Sequence, residues 1–278
     1  MPSDRLSDIS FYFPRHASAT LEFFETLVTL LKGIPTAHKT ANRLVFTPSN
    51  PAQAWPVTSI DVADVAVPTI VLPINQPIDV EIGHLRLSNT LQSATDIPIL
   101  SENASDDQLT LADLNHKLRG HVTRIDHTGI NLPSHALSQE HWTDILKKVA
   151  AESTLYRYPT GEDWPFIIPS TDEEYNSDIQ DFVLGREPKF ELVYDHFAKY
   201  PEIQIALGTD LTKQALETLF PAPYGIVFPE LEEIFRVVHI SHPWPSLNIR
   251  FDLYYADKRG YSPWSTGEWL IVEGGRII

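Results

Sequence analysis

From Asp8 to Phe13 apolar and polar residues alternate, with Ile9, Phe11 and Phe13 on one side, which predicts a strand with one buried face. Leu21, Phe24, Leu27, Val28 and Leu31 then recur at helical spacing, and Gly33 with Pro35 ends that helix. Asn42 to Thr47 reads as a strand stopped by Pro48 and Pro51. Val65 to Leu72 is rich in β-branched residues and punctuated by Pro68 and Pro73, which suits an edge or irregular strand. Ile78 to Leu87 alternates again, so the first unit reads β-α-β-β-β. Residues 88–120 form a connector with a short helix carrying Leu109, Leu111, Leu114 and Leu118.

A second unit begins at Thr123. Arg124 to Leu132 is a predicted strand, Ser138 a helix cap, and Trp142, Ile145, Leu146 and Val149 the apolar stripe of that helix. Asp163 to Pro169 and Pro188 to Asp195 read as the next strands, separated by a loop with Asp172, Glu173, Glu174, Asp178 and Asp181. Glu202 to Leu207 is extended and leads to a helix with Leu211, Ala215, Leu216 and Leu219. In the tail, Ile234 to Ile240 and Leu247 to Tyr255 flank a rigid turn, His242-Pro243-Trp244-Pro245, and Trp269 to Val272 makes a last strand.

The two units echo each other. Phe13-Pro14-Arg15-His16-Ala17 returns as Leu132-Pro133-Ser134-His135-Ala136, and in the same register Phe23 meets Trp142, Glu25 meets Asp144 and Leu27 meets Leu146. Such self-similarity points to a duplicated strand–helix unit. The expected division is 1–120 for the first module and its connector, and 121–278 for the second with a C-terminal extension.

Composition narrows the function. The chain has 278 residues and a formal net charge of -16, a field that repels phosphate backbones and anionic membrane surfaces. Nucleic acid and membrane are therefore not expected partners. The absence of cysteine excludes disulfides, thiolate metal sites and cysteine nucleophiles. The polar start and the lack of a long apolar run make a soluble cytoplasmic protein the expectation.

Two successive β-α-β-β-β units, together with the string Ile125-Asp126-His127-Thr128-Gly129-Ile130, resemble the paired modules of the vicinal oxygen chelate superfamily, the glyoxalase and extradiol dioxygenase fold. The resemblance covers residues 9–87 and 123 to about 207. It implies an α+β architecture of tandem modules, extended here by a C-terminal helix and antiparallel hairpin. It also implies metal sites that draw one ligand from a module's first strand and another from its last. His127 suits the first role and Glu191 the second, while His84 or Glu81 marks the corresponding strand of the first module. The first module's opening strand has Ser10 and Tyr12 where the family has a histidine, so the cross-module ligand set is incomplete.

His127, His84 and Glu191 would form a two-histidine, one-carboxylate arrangement suited to Fe, Mn or Zn. The plain alternative is two hydrogen-bonded histidines and a solvent-facing glutamate. Arg250 and Asp252 are two apart on one strand and share a face, and with His239 and His242 they make a candidate polar wall in which Arg250 binds a carboxylate. The stretch from Tyr156 to Phe166, with Trp164, is aromatic enough to line an apolar cavity, and equally suited to sealing a sheet end. No Walker, dinucleotide or nucleophile-elbow pattern is present.

Three function classes follow. One is a protein of this architecture that binds a small oxygenated compound, or a second copy of itself as a homodimer, without catalysis. Another is a divalent-metal-dependent lyase, isomerase or dioxygenase. The third is a structural or regulatory interaction protein, which requires an exposed apolar patch.

Overall fold

The structure, a computed structural model, describes residues 8–15, 18–32, 37–40, 42–46, 57–93, 111–152, 155–157, 166–168, 189–195, 201–222, 237–244, 247–255 and 270–272. The first half runs β1 (Ile9–Pro14), α1 (Ser18–Leu30), β2 (Ala37–Thr40), β3 (Arg43–Phe46), β4 (Val57–Ala63), β5 (Thr69–Val71), β6 (Asp79–Ile82), β7 (Leu85–Ser88) and α2 (Leu111–Leu118). The second runs β8 (Val122–Pro133), α3 (Gln139–Ala150), β9 (Leu155–Arg157), β10 (Phe166–Ile168), β11 (Lys189–Asp195), β12 (Glu202–Thr209), α4 (Lys213–Leu219), β13 (Val237–Trp244), β14 (Leu247–Tyr254) and β15 (Leu270–Val272).

The two sheets share one wiring. The first has the order β2-β3-β4-β1-β5-β7-β6, and the second β13-β14-β12-β8-β11-β10-β9-β15. In each, the opening strand pairs in parallel with the last strand of its β-α-β-β-β unit, β1 with β4 and β8 with β11. On its other side it pairs antiparallel with the next strand, β5 or β12. Phe11 faces Ile60 and Ile70, while Ile130, 119 positions on, faces Leu192 and Ile203. The chain therefore has the α+β, tandem-module fold of glyoxalase type, with β12, α4, β13 and β14 continuing beyond the second unit.

Some strands differ from those expected. The first unit closes with β2, β3 and β4; Val65–Leu72 and Ile78–Leu87 belong to the continuation that follows. β4 gives a weak signal because only Ile60 and Val62 mark its apolar side, with Ser59 and Asp61 on the other. Ile78–Leu87 is two strands folded at Gly83-His84, where Gly83 has φ +58°. The segment His242–Trp244 lies within β13, so the hairpin turns later than Pro243. β9 arises inside the stretch read as an aromatic loop.

Helix α3 shows how the elements are held. Ser138 Oγ accepts from the His141 N–H at 3.3 Å, satisfying a donor that the first turn leaves open. Trp142, Ile145, Leu146 and Val149 are all buried, each stabilising by roughly 1.5–3 kcal/mol. The Trp142 ring stacks on Tyr194 of β11, and the Tyr194 hydroxyl donates to Ser134 O at 2.9 Å. One apolar core joins both halves, with the Phe11 and Phe190 rings meeting edge to face at 5.9 Å. Strand alternation then puts Ser10 and Ser59, and likewise His127 and Glu191, on the opposite face of each sheet. Glu152, just past α3, clamps the first half by accepting from the N–H groups of Asn75 and Gln76 at 2.8 and 3.0 Å.

Candidate functional site

The polar face of the second sheet gathers side chains from four adjacent strands. β8 supplies His127 and Asn131, β11 supplies Glu191, β12 supplies Gln204, and β14 supplies Arg250 and Asp252. Glu191 and Gln204 both sit opposite Gly129, and Arg250 sits opposite Gln204, so register alone brings them to one row. Gly129 is needed there: a Cβ on it would lie 2.5 Å from the Glu191 carbonyl oxygen.

Gln204 is the centre of the cluster. Its amide nitrogen donates to Asp252 Oδ2 at 2.8 Å and to Glu191 Oε2 at 3.3 Å, and lies 2.7 Å from His127 Nε2. His127 Nε2 is itself 3.3 Å from Glu191 Oε2. An amide nitrogen carries two hydrogens, enough for the Asp252 and Glu191 carboxylates, and His127 Nε2 can itself donate to Glu191 in the tautomer that carries its hydrogen there. The Gln204 carbonyl oxygen is buried and has no hydrogen-bond partner among the described residues. All of this lies out of water, with Gln204 and Asp252 each 2 % exposed and His127 4 %. An unmet hydrogen-bonding group at such a depth costs about 1–3 kcal/mol, so the arrangement calls for a further partner.

Arg250 completes the charge pattern. Its Nε is 2.9 Å from Asp252 Oδ1 and its Nη2 donates to Oδ2 at 3.0 Å, a two-pronged pair with only 13 % of the arginine side chain exposed. In the orientation its neighbours require, the Asn131 side-chain oxygen accepts from Arg250 Nη2 at 2.9 Å. Glu202, opposite Asn131, is buried on the same face.

Of the residues singled out from sequence, His127, Glu191 and Asp252 come together on Gln204, with Arg250 locked to Asp252. His84 does not join them. It is exposed on the turn between β6 and β7 of the first sheet, so the expected His127–His84–Glu191 set is not assembled. Glu81, on β6, is also exposed. His239 stands opposite Asp252 in the β13–β14 register, whereas His242 stands opposite Ile249, an odd number of residues away. Tyr156 is in β9, opposite Ile167 and Ile271 and outside the four cluster strands. Trp164 lies outside the described residues. Gln204 was not anticipated. The available signal was one amide within Ile203–Leu207, a run otherwise wholly apolar and buried throughout.

A metal fits this donor set poorly. Both Asp252 oxygens are held by a guanidinium that cannot lose its proton, and the point where His127, Glu191 and Asp252 converge is filled by an amide nitrogen, which is no ligand. Among the described residues, no three His, Cys, Asp or Glu side chains form a group able to hold an ion. A solvent-open groove beside α3, lined by Gln139, His141 and Lys147, includes none of the cluster. No described helix is long and apolar enough to cross a membrane.

Neither a protein-family model nor a curated protein sequence matches the chain. Similar solved structures include a triple mutant of 4-hydroxymandelate synthase from Streptomyces coelicolor, 12% identical, covering 95% of this chain and 96% of that one at a TM-score of 0.35. Another is a fusion of a xylose isomerase-like TIM barrel with a 4-hydroxyphenylpyruvate dioxygenase, 11% identical at a TM-score of 0.34; the match covers 95% of this chain and 51% of the fusion.

Proposed function

We propose that this is a binding protein in which residues 121–278 hold a small oxygen-bearing compound against the polar face of the second sheet, without a metal and without chemistry of its own. Gln204 carries the reading. Its buried carbonyl oxygen has no donor among the described residues. A compound bearing a hydroxyl group supplies that donor, its O–H directed to the Gln204 oxygen. Arg250, itself bonded to the Asn131 oxygen, holds Asp252 in place, so that the row is organised before a ligand arrives, which lowers the ordering cost of binding.

A panel of hydroxy acids, polyols and vicinal diols, screened by ligand-observed NMR with chelator present, tests this. The expected result is one-to-one binding by at least one class, weakened about tenfold or more in Gln204→Leu, which keeps the shape and removes the amide. If no class binds, or if binding appears only when metal is supplied, the reading fails.

The second reading, a divalent-metal-dependent lyase, isomerase or dioxygenase, is favoured by the meeting of one histidine and two buried carboxylates around a single point. Its test is elemental analysis of purified protein before and after His127→Ala. A near-stoichiometric metal lost in the variant would establish it over the first.

A further inference from the structure

We propose that Arg250 and Gln204 together stand in for a resident cation, and that these two residues are what set the second sheet's polar face against divalent metals. A cluster of His127, Glu191 and Asp252 buried on one sheet face needs positive charge and hydrogen-bond donors at its centre. The chain meets that need from its own covalent structure. Arg250 is two residues before Asp252 on β14, so strand alternation puts its side chain on the same face. Its two-pronged grip leaves neither Asp252 oxygen free for a metal, and its permanent charge repels a second cation brought to the same carboxylate.

Gln204 fills the remaining position. Its nitrogen is 2.7, 2.8 and 3.3 Å from the His127, Asp252 and Glu191 atoms, hydrogen-bond lengths where a bound ion requires about 2.0–2.3 Å. To admit an ion, the amide must leave and the guanidinium must release Asp252, two changes that oppose binding together. Substitution of these two residues alone therefore opens the site: Gln204→Glu replaces a donor with a carboxylate of the same shape, and Arg250→Met removes the charge at nearly constant length. The resulting oxygen-rich set with one imidazole suits Mn2+.

This inference shares its cluster with the binding reading but needs no organic ligand, so each can fail alone. Titration calorimetry with MnCl2 is run on the wild type, on Q204E, on R250M and on the double variant, with near-UV circular dichroism to establish folding. The wild type is expected to show no saturable site up to roughly 1 mM Mn2+. The double variant is expected to bind one Mn2+ per chain at least about 100-fold more tightly, with Q204E between them. Saturable one-to-one binding by the wild type that His127→Ala abolishes overturns the proposal. So does a folded double variant that binds no better than wild type. Should the double variant fold only with Mn2+ present, that recovery supports the proposal; should it not fold at all, a folded Q204E with no gain in affinity overturns it.

Discussion

The two sheets repeat the same wiring but present different chemistry on equivalent faces. Ser10 occupies the place of Gly129, Ser59 that of Glu191, Val71 that of Gln204 and Ser88 that of Arg250. The first face is thus mostly small hydroxyls, with Ser59 linked to Ser10 at 3.2 Å and to Asp61 at 2.9 Å. Length separates them as well. The place of His127 falls on Asp8, exposed just before β1, and the place of Asp252 falls two residues past the end of β7. Longer strands in the second half carry those two groups into the interior. A duplicated frame fixes where side chains can meet; strand length and residue choice decide whether a site forms there.

The largest test of that contrast concerns two Arg–Asp pairs. Arg250 and Asp252 are almost wholly buried, whereas Arg43, 3.2 Å from Asp61 in the first sheet, is half exposed. Arg250→Met strands a buried carboxylate and is expected to cost about 3–5 kcal/mol in urea unfolding at neutral pH. Arg43→Met is expected to cost under about 1 kcal/mol. Equal losses would show that the second face is no more demanding than the first.

Next in size is Gly129→Ala. The added methyl meets backbone at the Glu191 carbonyl, which cannot swing aside, so a loss of about 1–3 kcal/mol is expected. At the equivalent position Ser10 already carries a side chain, and Ser10→Ala removes only a hydroxyl bonded to Ser59, worth about 0.5–1.5 kcal/mol. A neutral Gly129→Ala would mean that Glu191 does not approach β8 so closely.

The repeat was legible because its 119-residue offset survives in the register: Phe11 and Ile130 stand at matching points of matching strands. His127 stood out through its Asp-His-Thr-Gly setting, and Arg250 with Asp252 through their two-residue spacing. Gln204 stayed hidden because a neutral amide in an apolar strand carries no charge pattern, and its importance comes from β8, β11 and β14 meeting around it. His84 misled for the converse reason. It falls in phase with Ile78, Val80 and Ile82, but the apolar phase slips by one residue at Leu85 and Leu87, because Gly83 with its positive φ turns the chain and leaves His84 in solvent.

The smallest expected effect lies wholly within the first sheet, where two aspartates should respond to acid in opposite senses. Burial pushes the Asp61 carboxyl above its ordinary value near 3.8, outweighing the Ser59 hydrogen bond and the Arg43 charge. The folded state then holds the Asp61 proton more tightly than the unfolded state, so this group's contribution falls as pH rises from about 3.8 through the raised value. Asp79 is the reverse: hydrogen bonds from Arg86 at 2.6 and 2.7 Å hold its carboxyl below 3.8. Its contribution is present above that value and is lost as pH falls through the lowered one. Urea midpoints measured from pH 3 to 7 should therefore show Asp61→Asn gaining on wild type as pH rises, and Asp79→Asn losing ground over the acid end of the range. If both variants track wild type in parallel, the buried hydroxyl–carboxylate chain of the first face is as well solvated as its surface. Its contrast with the second face would then rest on Glu191, Gln204, Arg250 and Asp252 alone.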